Sequence, residues 1–582
     1  MASAAPSAPV FRPLSDESAG LTHARVLEEA ARPAAARGVH KVVPLLKRAV
    51  GAMGKSDYRS AAQLGLKVLD IDENNPVAAH VVAIALERAG QTSLALGMYE
   101  RAVEKDPFNP EVYHSLGNLA AKLGMHDAAI KLFGQALTLR PGWSHAANDL
   151  GGVLRDMGEL DAAIDVLREA VLSDPANAML WNSLGVTAVR SGAIDEAFTF
   201  FHEAERVQPG FGRATYNRGH TALLLGEIDE AVAALQAAIP MLSTAEDVAE
   251  ARVALGHALM CAGRLAEGWA SYEARHDRFF SGATHFWVPG ADRWSGGSFA
   301  GKAVALMGEQ GLGDEVMFLS VVPDLIEDIG PDGRLVIGCE QRLVPLVARS
   351  FPTARVAAHG TLRNEFGFVR GFLEKTVAEG CDLYVPMGDA AGAMRPEAAR
   401  FASRRAFLAP DPERVAHWRA WLDSLGPLPK LGVTWKSLKL DPGRSVAYSP
   451  IELWEPVLRT PGCTFINLQY GDAADDIALA RERFGVELVT PPGIDLKDDL
   501  DDLAALCAAI GWVVGSMNAT MNIAMAVGAE GWCLYGARRT WSRMGFDDLP
   551  WYARSRSFCC PGIRQWAPVM NAVADAMVAR LA

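Results

Sequence analysis

The stretch that decides the first half of the chain is P-E-V-Y-H-S-L-G-N-L-A-A-K-L-G-M-H-D-A-A-I-K-L-F-G-Q-A-L-T-L-R-P, Pro110 to Pro141. Its small and rigid residues return at a fixed interval. Gly117, Gly151, Gly185 and Gly219 are each 34 residues apart. Ala129, Ala163, Ala197 and Ala231 hold the same step, as do Ala136, Ala170, Ala204 and Ala238, and the prolines Pro107, Pro141, Pro175 and Pro209. Upstream, Ala61, Ala83, Ala95 and Ala102 stay in phase; downstream, Gly256 arrives 37 residues after Gly219, so 37 − 34 = 3 residues are inserted. Independent positions holding one register over several units mark a repeat array. Small residues let two antiparallel helices approach closely, and a proline closes each unit because it cannot extend the second helix.

This phase resembles the tetratricopeptide repeat (TPR), with about seven units from Val42 to about His276. Each unit buries its apolar face only against its neighbours, so the resemblance implies an α-solenoid with a concave groove for a segment of another protein. A spacer or a dimerisation surface is the plainer alternative. Met98, Tyr99, Phe133 and Phe201 fall on positions that pack between helices. Residues 1–41 show no repeat phase. Leu21 to Ala36 reads as an Ala-rich capping helix behind a loose tip of Ser, Ala and Pro.

The 582 residues are enough for several domains, and a composition of 50% hydrophobic and 21% charged residues excludes a mainly disordered or fibrous chain. A formal net charge of −13 argues against a general nucleic-acid or anionic-membrane binder, while leaving room for a local basic pocket for a phosphate. The longest apolar run, Ala504 to Gly515, has 12 residues, short of the roughly 18 needed to span a bilayer. The N-terminus lacks a basic start followed by an apolar core, so no secretory signal is expected. Eight cysteines without a C-x-x-C arrangement read as reduced thiols of a cytoplasmic protein.

From about Phe279 the helical period breaks. A stretch rich in Gly, Ser and aromatics, residues 279–299, reads as a linker. Short apolar runs then alternate with helical ones. Val304 to Met307, Arg334 to Ile337 and Leu383 to Val385 are expected strands, with helices at Glu315 to Ile329 and Gln341 to Ser350. A helix at Pro412 to Leu425 precedes a second series of strands: Leu431 to Trp435, Thr464 to Leu468, Glu487 to Val489, Trp512 to Val514 and Gly531 to Tyr535. The rhythm implies two parallel-sheet halves, residues 300–428 and 429–582, that meet at a cleft, with a last helix, Ile563 to Leu581, packing back across them.

Two loops carry chemical information. G-E-Q-G-L-G-D-E-V-M-F, Gly308 to Phe318, follows a strand and opens a helix. Its glycines let the backbone approach a ligand, and the helix start favours an anion or a reacting oxygen. It is neither the dinucleotide fingerprint nor a P-loop. V-V-G-S-M-N-A-T-M-N-I-A-M-A-V-G, Val513 to Gly528, leads from a buried strand through Ser516, Asn518 and Thr520 into a helix. Those side chains can cap the helix, donate to a phosphate, or both.

Gly308 to Pro323 resembles the Gly-x-Gly-Asp…Pro motif of heptosyltransferase-like enzymes, in the version found in TPR-fused glycosyltransferases. G-W-x-x-Y-E-x-R (Gly268 to Arg275), G-V-T-W-K-S (Gly432 to Ser437) and F-I-N-L-Q-Y-G-D (Phe465 to Asp472) resemble the same fused family. The resemblance covers the chain from about residue 42. It implies an α/β GT-B fold of two Rossmann-like halves, with the acceptor on the first and a nucleotide sugar on the second. The layout is most similar to alphaproteobacterial flagellin glycosyltransferases of the FlmG type. These move a nonulosonic acid (pseudaminic-acid type) from a CMP-activated donor to flagellin hydroxyls, with the repeats holding flagellin. The chain departs from the heptosyltransferase pattern at Asn518, where Asp is usual, and at Asn522, where His is usual. Loss of negative charge there would suit an acidic sugar.

Transfer to a hydroxyl needs a base near the acceptor oxygen and donors or cations near the leaving phosphate. Asp314 matches the carboxylate that family members use as base; a helix N-cap is its plainer reading. Glu309 is the second candidate, and Gly311 and Gly313 shape the acceptor loop. Lys436 would neutralise a phosphate unless it is a plain surface lysine. Ser516, Asn518 and Thr520 would bind that phosphate. Gln469 and Tyr470 would hold the base or ribose. Arg444 would pair with a sugar carboxylate or phosphate, or sit solvated in its loop. Trp541 matches a family aromatic near the donor, with core packing as the alternative. The acidic run Asp495 to Asp502 reads as a solvated loop, and no metal or cofactor is expected beyond the nucleotide-sugar co-substrate. The competing readings are a UDP-sugar-dependent transferase acting on another protein or glycan, and a non-catalytic adaptor or export chaperone with a degenerate transferase half.

Overall fold

The computed structural model describes residues 39–364, 367–401, 404–437 and 447–582. The expected capping helix at Leu21 to Ala36 and the candidate Arg444 lie outside them. The chain divides into two compact units at Ala214.

Residues 39–214 form a succession of antiparallel helix pairs, from Val39–Met53 with Tyr58–Ile71 to Ala178–Ser191 with Ile194–Val207. The periodic residues explain the spacing. A methyl added to Gly117, Gly151 or Gly185 would fall 2.7 Å from the Phe133 ring, 2.8 Å from Leu167 Cγ or 2.5 Å from the Phe201 ring. The first helix of each pair therefore meets a large side chain of the second with no atom to spare. Ala61, Ala95, Ala129, Ala163 and Ala197 are 0% exposed on the opposing helices. Between successive pairs, polar side chains bond across a separation of 35 residues. His80 Nε2 lies 3.0 Å from Ser115 Oγ, His114 Nε2 lies 2.8 Å from Asp149, and the Ser183 hydroxyl donates to Asn148. Such buried groups must be satisfied, so the ladder fixes the register of one pair on the next.

Residues 215–582 form the second unit. It opens with helices Gly212–Leu225 (its first residues lying before the division) and Ile228–Ala238, then α1 (Ala245–Cys261) and α2 (Leu265–Tyr272). The strands of the first sheet are β1 (Thr284–Trp287), β2 (Asp292–Arg293), β3 (Ala303–Met307), β4 (Arg334–Cys339), β5 (Arg355–Asn364), β6 (Gly367–Phe372) and β7 (Leu383–Pro386). Their order is β1-β6-β5-β4-β3-β7-β2, parallel except for the β5–β6 pair. The second sheet contains β8 (Lys430–Thr434), β9 (Thr464–Asn467), β10 (Trp512–Ser516), β11 (Glu530–Tyr535) and β12 (Ser555–Cys559). It is parallel throughout, in the order β12-β11-β10-β8-β9. The strand order reverses between β3 and β7 in the first sheet and between β8 and β10 in the second. In open α/β sheets the crevice beyond the strand ends at such a reversal is the ligand-binding position.

Four details differ from the sequence reading. The stretch read as a linker supplies both edge strands of the first sheet: β1 pairs with β6, and β2 with β7. Short edge strands need no apolar run, so they carry little signal. The helix expected over Glu315 to Ile329 is Leu312–Phe318, a tight turn at Leu319–Val321, and Val322–Ile329, because Pro323 tolerates only a new helix start. Glu487 to Val489 makes a single bridge, Ile466 to Val489, rather than a strand. The last helix, Trp566–Leu581, does not reach across the halves. Its apolar face, Trp566, Val569, Met570, Val573 and Met577, joins Trp454, Trp512 and Trp532 in the core of the second sheet itself.

The close approaches give a direct test. Gly185→Ala, which drives a methyl into Phe201, should destabilise residues 39–214 by about 1–3 kcal/mol in urea melts. Gly134→Ala, in helix His126–Leu139 with nothing within 4 Å of the new methyl, should instead stabilise by about 0.5–1 kcal/mol. Similar losses at both sites would remove the steric account of the repeat.

The core of the second unit gives another. Met260, Leu265, Trp269 and Tyr272 belong to one cluster with Leu306, Phe318 and Met387, and Trp269 Nε1 donates to Arg395 O at 3.0 Å. A fragment beginning near residue 280 should be insoluble, because it strips two large aromatics from that core. One beginning near Phe211 should give a cooperative thermal melt, and soluble, folded material from both would contradict this assignment.

Candidate functional site

At the first crevice, β3 ends at Met307 and the chain turns sharply. Gly308 N donates to Gly338 O at 2.7 Å, and a methyl on Gly308 would lie 2.7 Å from the Glu315 carboxyl carbon. Gln310 sits in the left-handed region at φ +62°, uncommon for a side chain with a Cβ. The helix α3 (Leu312–Phe318) then begins. Asp314 stands in its first turn, and one of its carboxylate oxygens accepts the Gly311 N–H at 3.2 Å. Asp314 is thus half-buried and takes part in capping while remaining at the head of the loop.

Glu309 is placed differently from the sequence expectation. It is 2% exposed and accepts from Arg275 Nε and Nη2, both at 2.9 Å, and from Gly388 N. A carboxylate held by three donors in the crevice is a structural anchor and is not available as a base. Asp389 completes the cluster with Arg275, His276 and Arg293. Burial alone would raise its carboxyl, but Arg275 foremost among these neighbours holds it well below the usual range. Beneath the loop, Glu315 is held in the same way. Burial opposes its charge, yet His359 at 2.7 Å, Arg370 at 3.2 Å and the Glu340 N–H at 2.9 Å keep its carboxyl below the ordinary value.

At the second crevice, β8 ends in Thr434-Trp435-Lys436 and β10 in Gly515-Ser516. The two backbones come so close that a methyl on Gly515 would collide with Thr434 O. The helix α4 (Ala519–Ala526) follows. Asn518 caps it, its Oδ1 accepting the Met521 N–H at 3.0 Å while its Nδ2 donates to Thr434 Oγ1 at 2.8 Å. Thr520 is buried in the first turn, and Ser516 is fully buried with its hydroxyl unpartnered among the described residues.

Two more expectations change here. Gln469 was expected to hold a base or ribose. Its Oε1 instead accepts the Trp435 and Lys436 N–H groups, both at 2.9 Å, and its Nε2 donates to the Lys436 and Tyr470 carbonyls. It braces the strand end rather than facing outward. Lys436 was expected as a phosphate-neutralising cation. Its Nζ is paired with Asp476 at 2.5 Å, an oxygen shared with the Trp435 indole N–H at 2.8 Å. Tyr470, just past the end of the neighbouring strand β9, has its hydroxyl 3.4 Å from Ser437 Oγ.

The two loops face one another. Helix α3 packs against α4, and a methyl on Gly313 would fall 2.9 Å from Asn522 Nδ2. Asn522 in turn donates to Asn518 O at 2.9 Å and accepts the Tyr552 hydroxyl at 2.6 Å. Asp314, Gly313, Asn518 and Asn522 therefore gather at one seam. Trp541 does not line it as a donor aromatic. It stacks on His257 (centroids 5.5 Å apart, 17° between planes) and on Tyr272 (6.0 Å, 28°), and so serves the packing alternative. Arg275, Glu315, His359, Arg370, Asp476 and Tyr552 were given no role from sequence. Arg275 left a signal as the last residue of G-W-x-x-Y-E-x-R, and Glu315 as the second acidic residue of G-E-Q-G-L-G-D-E-V-M-F.

Models of the tetratricopeptide repeat match residues 98–131, 120–185 and 200–246. The helix pairs are tetratricopeptide repeats. Among characterised proteins, the chain is similar to Protein FlbA of Caulobacter vibrioides, 46% identical over 346 residues, which is 60% of this chain and 58% of that protein. The match thus spans less than two thirds of that relative's length. Among solved structures it is similar to MamA (26% identity, 28% of this chain and 94% of that one, TM-score 0.26) and to Pseudomonas aeruginosa PilF (15% identity, 38% and 97%, TM-score 0.33). Among the described residues, no helix is long and apolar enough to cross a membrane.

The helix pairs and α1 carry one acid-sensitive feature. Burial pushes the imidazoles of His80, His220 and His257 down to about 4. Their folded pKa lies below the unfolded value of about 6.5, so the neutral rings add stability that is complete above that pH. It should be lost as pH falls from about 6.5 towards 4, because the unfolded chain then binds protons that the folded chain refuses. Melting temperature against pH should show this decline, and His257→Gln should make it shallower for residues 215–582, where His220 still contributes. A flat profile between pH 7 and 4.5 would contradict the buried neutral rings.

Proposed function

We propose that the protein is a protein O-glycosyltransferase of GT-B layout. In this reading the tetratricopeptide array holds the acceptor, flagellin. The first half presents the acceptor hydroxyl at Asp314, and the second crevice binds a CMP-activated nonulosonic acid. The observation that carries the reading is the seam itself. The loops that follow β3 and β10, at the order reversals of the two sheets, are brought together at Gly313 and Asn522 by the packing of α3 on α4. The resemblance of the motifs around Gly308 and Gly432 to those of TPR-fused glycosyltransferases, and of the layout to flagellin glycosyltransferases, supports it.

On this reading Asp314 accepts the proton of the attacking hydroxyl as its oxygen bonds to the anomeric carbon. The bond from that carbon to the phosphate oxygen breaks, and the phosphate leaves with the electron pair. The leaving phosphate is received at the mouth of β8 and β10 by Ser516, Asn518, Thr520 and Lys436, with Asp476 competing for the lysine. Tyr470 lies at the same mouth.

A second reading, a non-catalytic adaptor with a degenerate transferase half, is favoured by one observation: the expected phosphate cation is already paired with Asp476.

Asp314→Asn separates the two. Its amide oxygen can still accept the Gly311 N–H, so melting temperature should hardly change, while loss of a general base should slow transfer by about 10²–10⁴-fold. Transfer to purified flagellin at the wild-type rate would remove Asp314 as base. Calorimetric titration should show binding of a CMP-linked nonulosonic acid that weakens with Lys436→Ala. Binding of neither CMP- nor UDP-sugars would leave the adaptor reading, and tight UDP-hexose binding alone would replace the donor.

A further inference from the structure

The first crevice is filled by the protein itself. Where an open α/β sheet offers its ligand position, between the ends of β3 and β7, stands the guanidinium of Arg275, from the turn that follows α2. It is 3% exposed. It grips Glu309 with two parallel bonds of 2.9 Å, donates to Asp389 and to Tyr272 O, and lies 4.4 Å from the centre of the Tyr272 ring. Glu309 is the second residue past β3, so whatever fixes its carboxylate fixes the root of the loop that leads to Asp314.

A second buried arginine holds the loop from the other side. Arg370, on β6, donates to Gly308 O at 2.8 Å and reaches Gln310 O at 3.5 Å, while also meeting Glu315 at 3.2 Å. Between the two arginines Gln310 keeps its left-handed φ of +62°. A non-glycine residue holds such a conformation only where its surroundings over-determine it. One arginine of this clamp belongs to the α/β part and the other to the end of the last helix pair.

We propose that Arg275 is a positioning residue: through Glu309 it sets the Gly308–Asp314 loop, so the place of Asp314 depends on the end of the repeat array being seated in the first crevice. The proposal rests on the reading of Asp314 as the base for its kinetic consequence, and on the geometry alone for its structural one. An arginine is required because the grip is a planar fork on a carboxylate, which a lysine cannot reproduce. The rest of the motif secures the seat. Trp269 bonds to Arg395 O, and Tyr272 stacks on Trp541.

The test is hydrogen exchange read by mass spectrometry on the full chain, for wild type, Arg275→Lys and Glu309→Gln. Both variants keep the size of the side chain and weaken the fork. Exchange in peptides covering residues 308–318 should quicken about tenfold or more, while peptides from residues 39–214 and from β8 to β12 keep their rates. In transfer assays kcat should fall with little change in KM for the nucleotide sugar, as expected when only the placing of the base is disturbed. Unchanged exchange at 308–318, or an equal rise throughout residues 215–582, overturns the proposal. The double variant Arg275→Met/Glu309→Met, which leaves neither member of the pair behind alone, serves if a single variant does not fold, and is read the same way. Exchange needs no substrate. Local loosening in a chain that transfers nothing would remove the glycosyltransferase reading and keep the clamp; rigid loops with intact transfer would do the reverse.

Discussion

The buried pairing of Arg275 with Glu309 and Asp389 is the constraint on which residues 215–582 turn. Taking one guanidinium and two carboxylates out of water costs several kcal/mol per ion, which their attraction offsets only in excellent geometry with the remaining hydrogen-bonding positions filled. Here they are filled: Gly388 N serves Glu309, Tyr272 O serves Arg275, and His276 and Arg293 serve Asp389. The consequence is specificity of arrangement. The turn after α2, the end of β3 and the start of the helix after β7 can meet in one way, since any other leaves a charge buried alone.

That constraint explains why the boundary between repeats and α/β part is blurred. By sequence, the helical period ends near Phe279, and a boundary there is natural. By packing, the last helix pair is continuous with the first sheet, because Trp269 and Tyr272 are large, buried and shared with its core. The period of a sequence reports local helix geometry. It does not report which face of the last helix pair is left uncovered, and the last unit of any array must find a partner other than a further repeat.

The same distinction governs how much was legible. The repeat was readable because sterics repeat: each glycine opposite a ring or a leucine recurs at the helix-pair spacing. The parallel strands β3, β4, β8, β10 and β11 were readable because both faces are buried, so they appear as unbroken apolar runs. The hairpin β5–β6 was not, since its strands alternate Gly, Arg and His with apolar residues and look like loop. The candidate loops could be placed from their glycines and caps. What the side chains do there could not, because it depends on partners far away in the chain. Glu309 looks like a base until Arg275 is beside it, Lys436 looks like a free cation until Asp476 is, and Gln469 looks like a ligand donor until it is seen to hold two backbone N–H groups.

These pairings change what kind of anion site the second crevice can be. With Lys436 paired to Asp476, and the uncharged side chains of Asn518 and Asn522 beside it, these described groups at the mouth of β8 and β10 carry little net charge. A phosphate bound there would rely on hydroxyl, amide and backbone donors more than on formal cations. Such a site is weak at a distance, because dipolar attraction falls away faster than that of a charge, but it is less screened by salt once the ligand is in contact. It also tolerates a second negative group, since the Asp476 carboxylate beside these donors already accepts from Lys436 and Trp435. On the proposed reading, that neutrality is what would let a donor carrying both a phosphate and a sugar carboxylate enter where a carboxylate at position 518 would repel it.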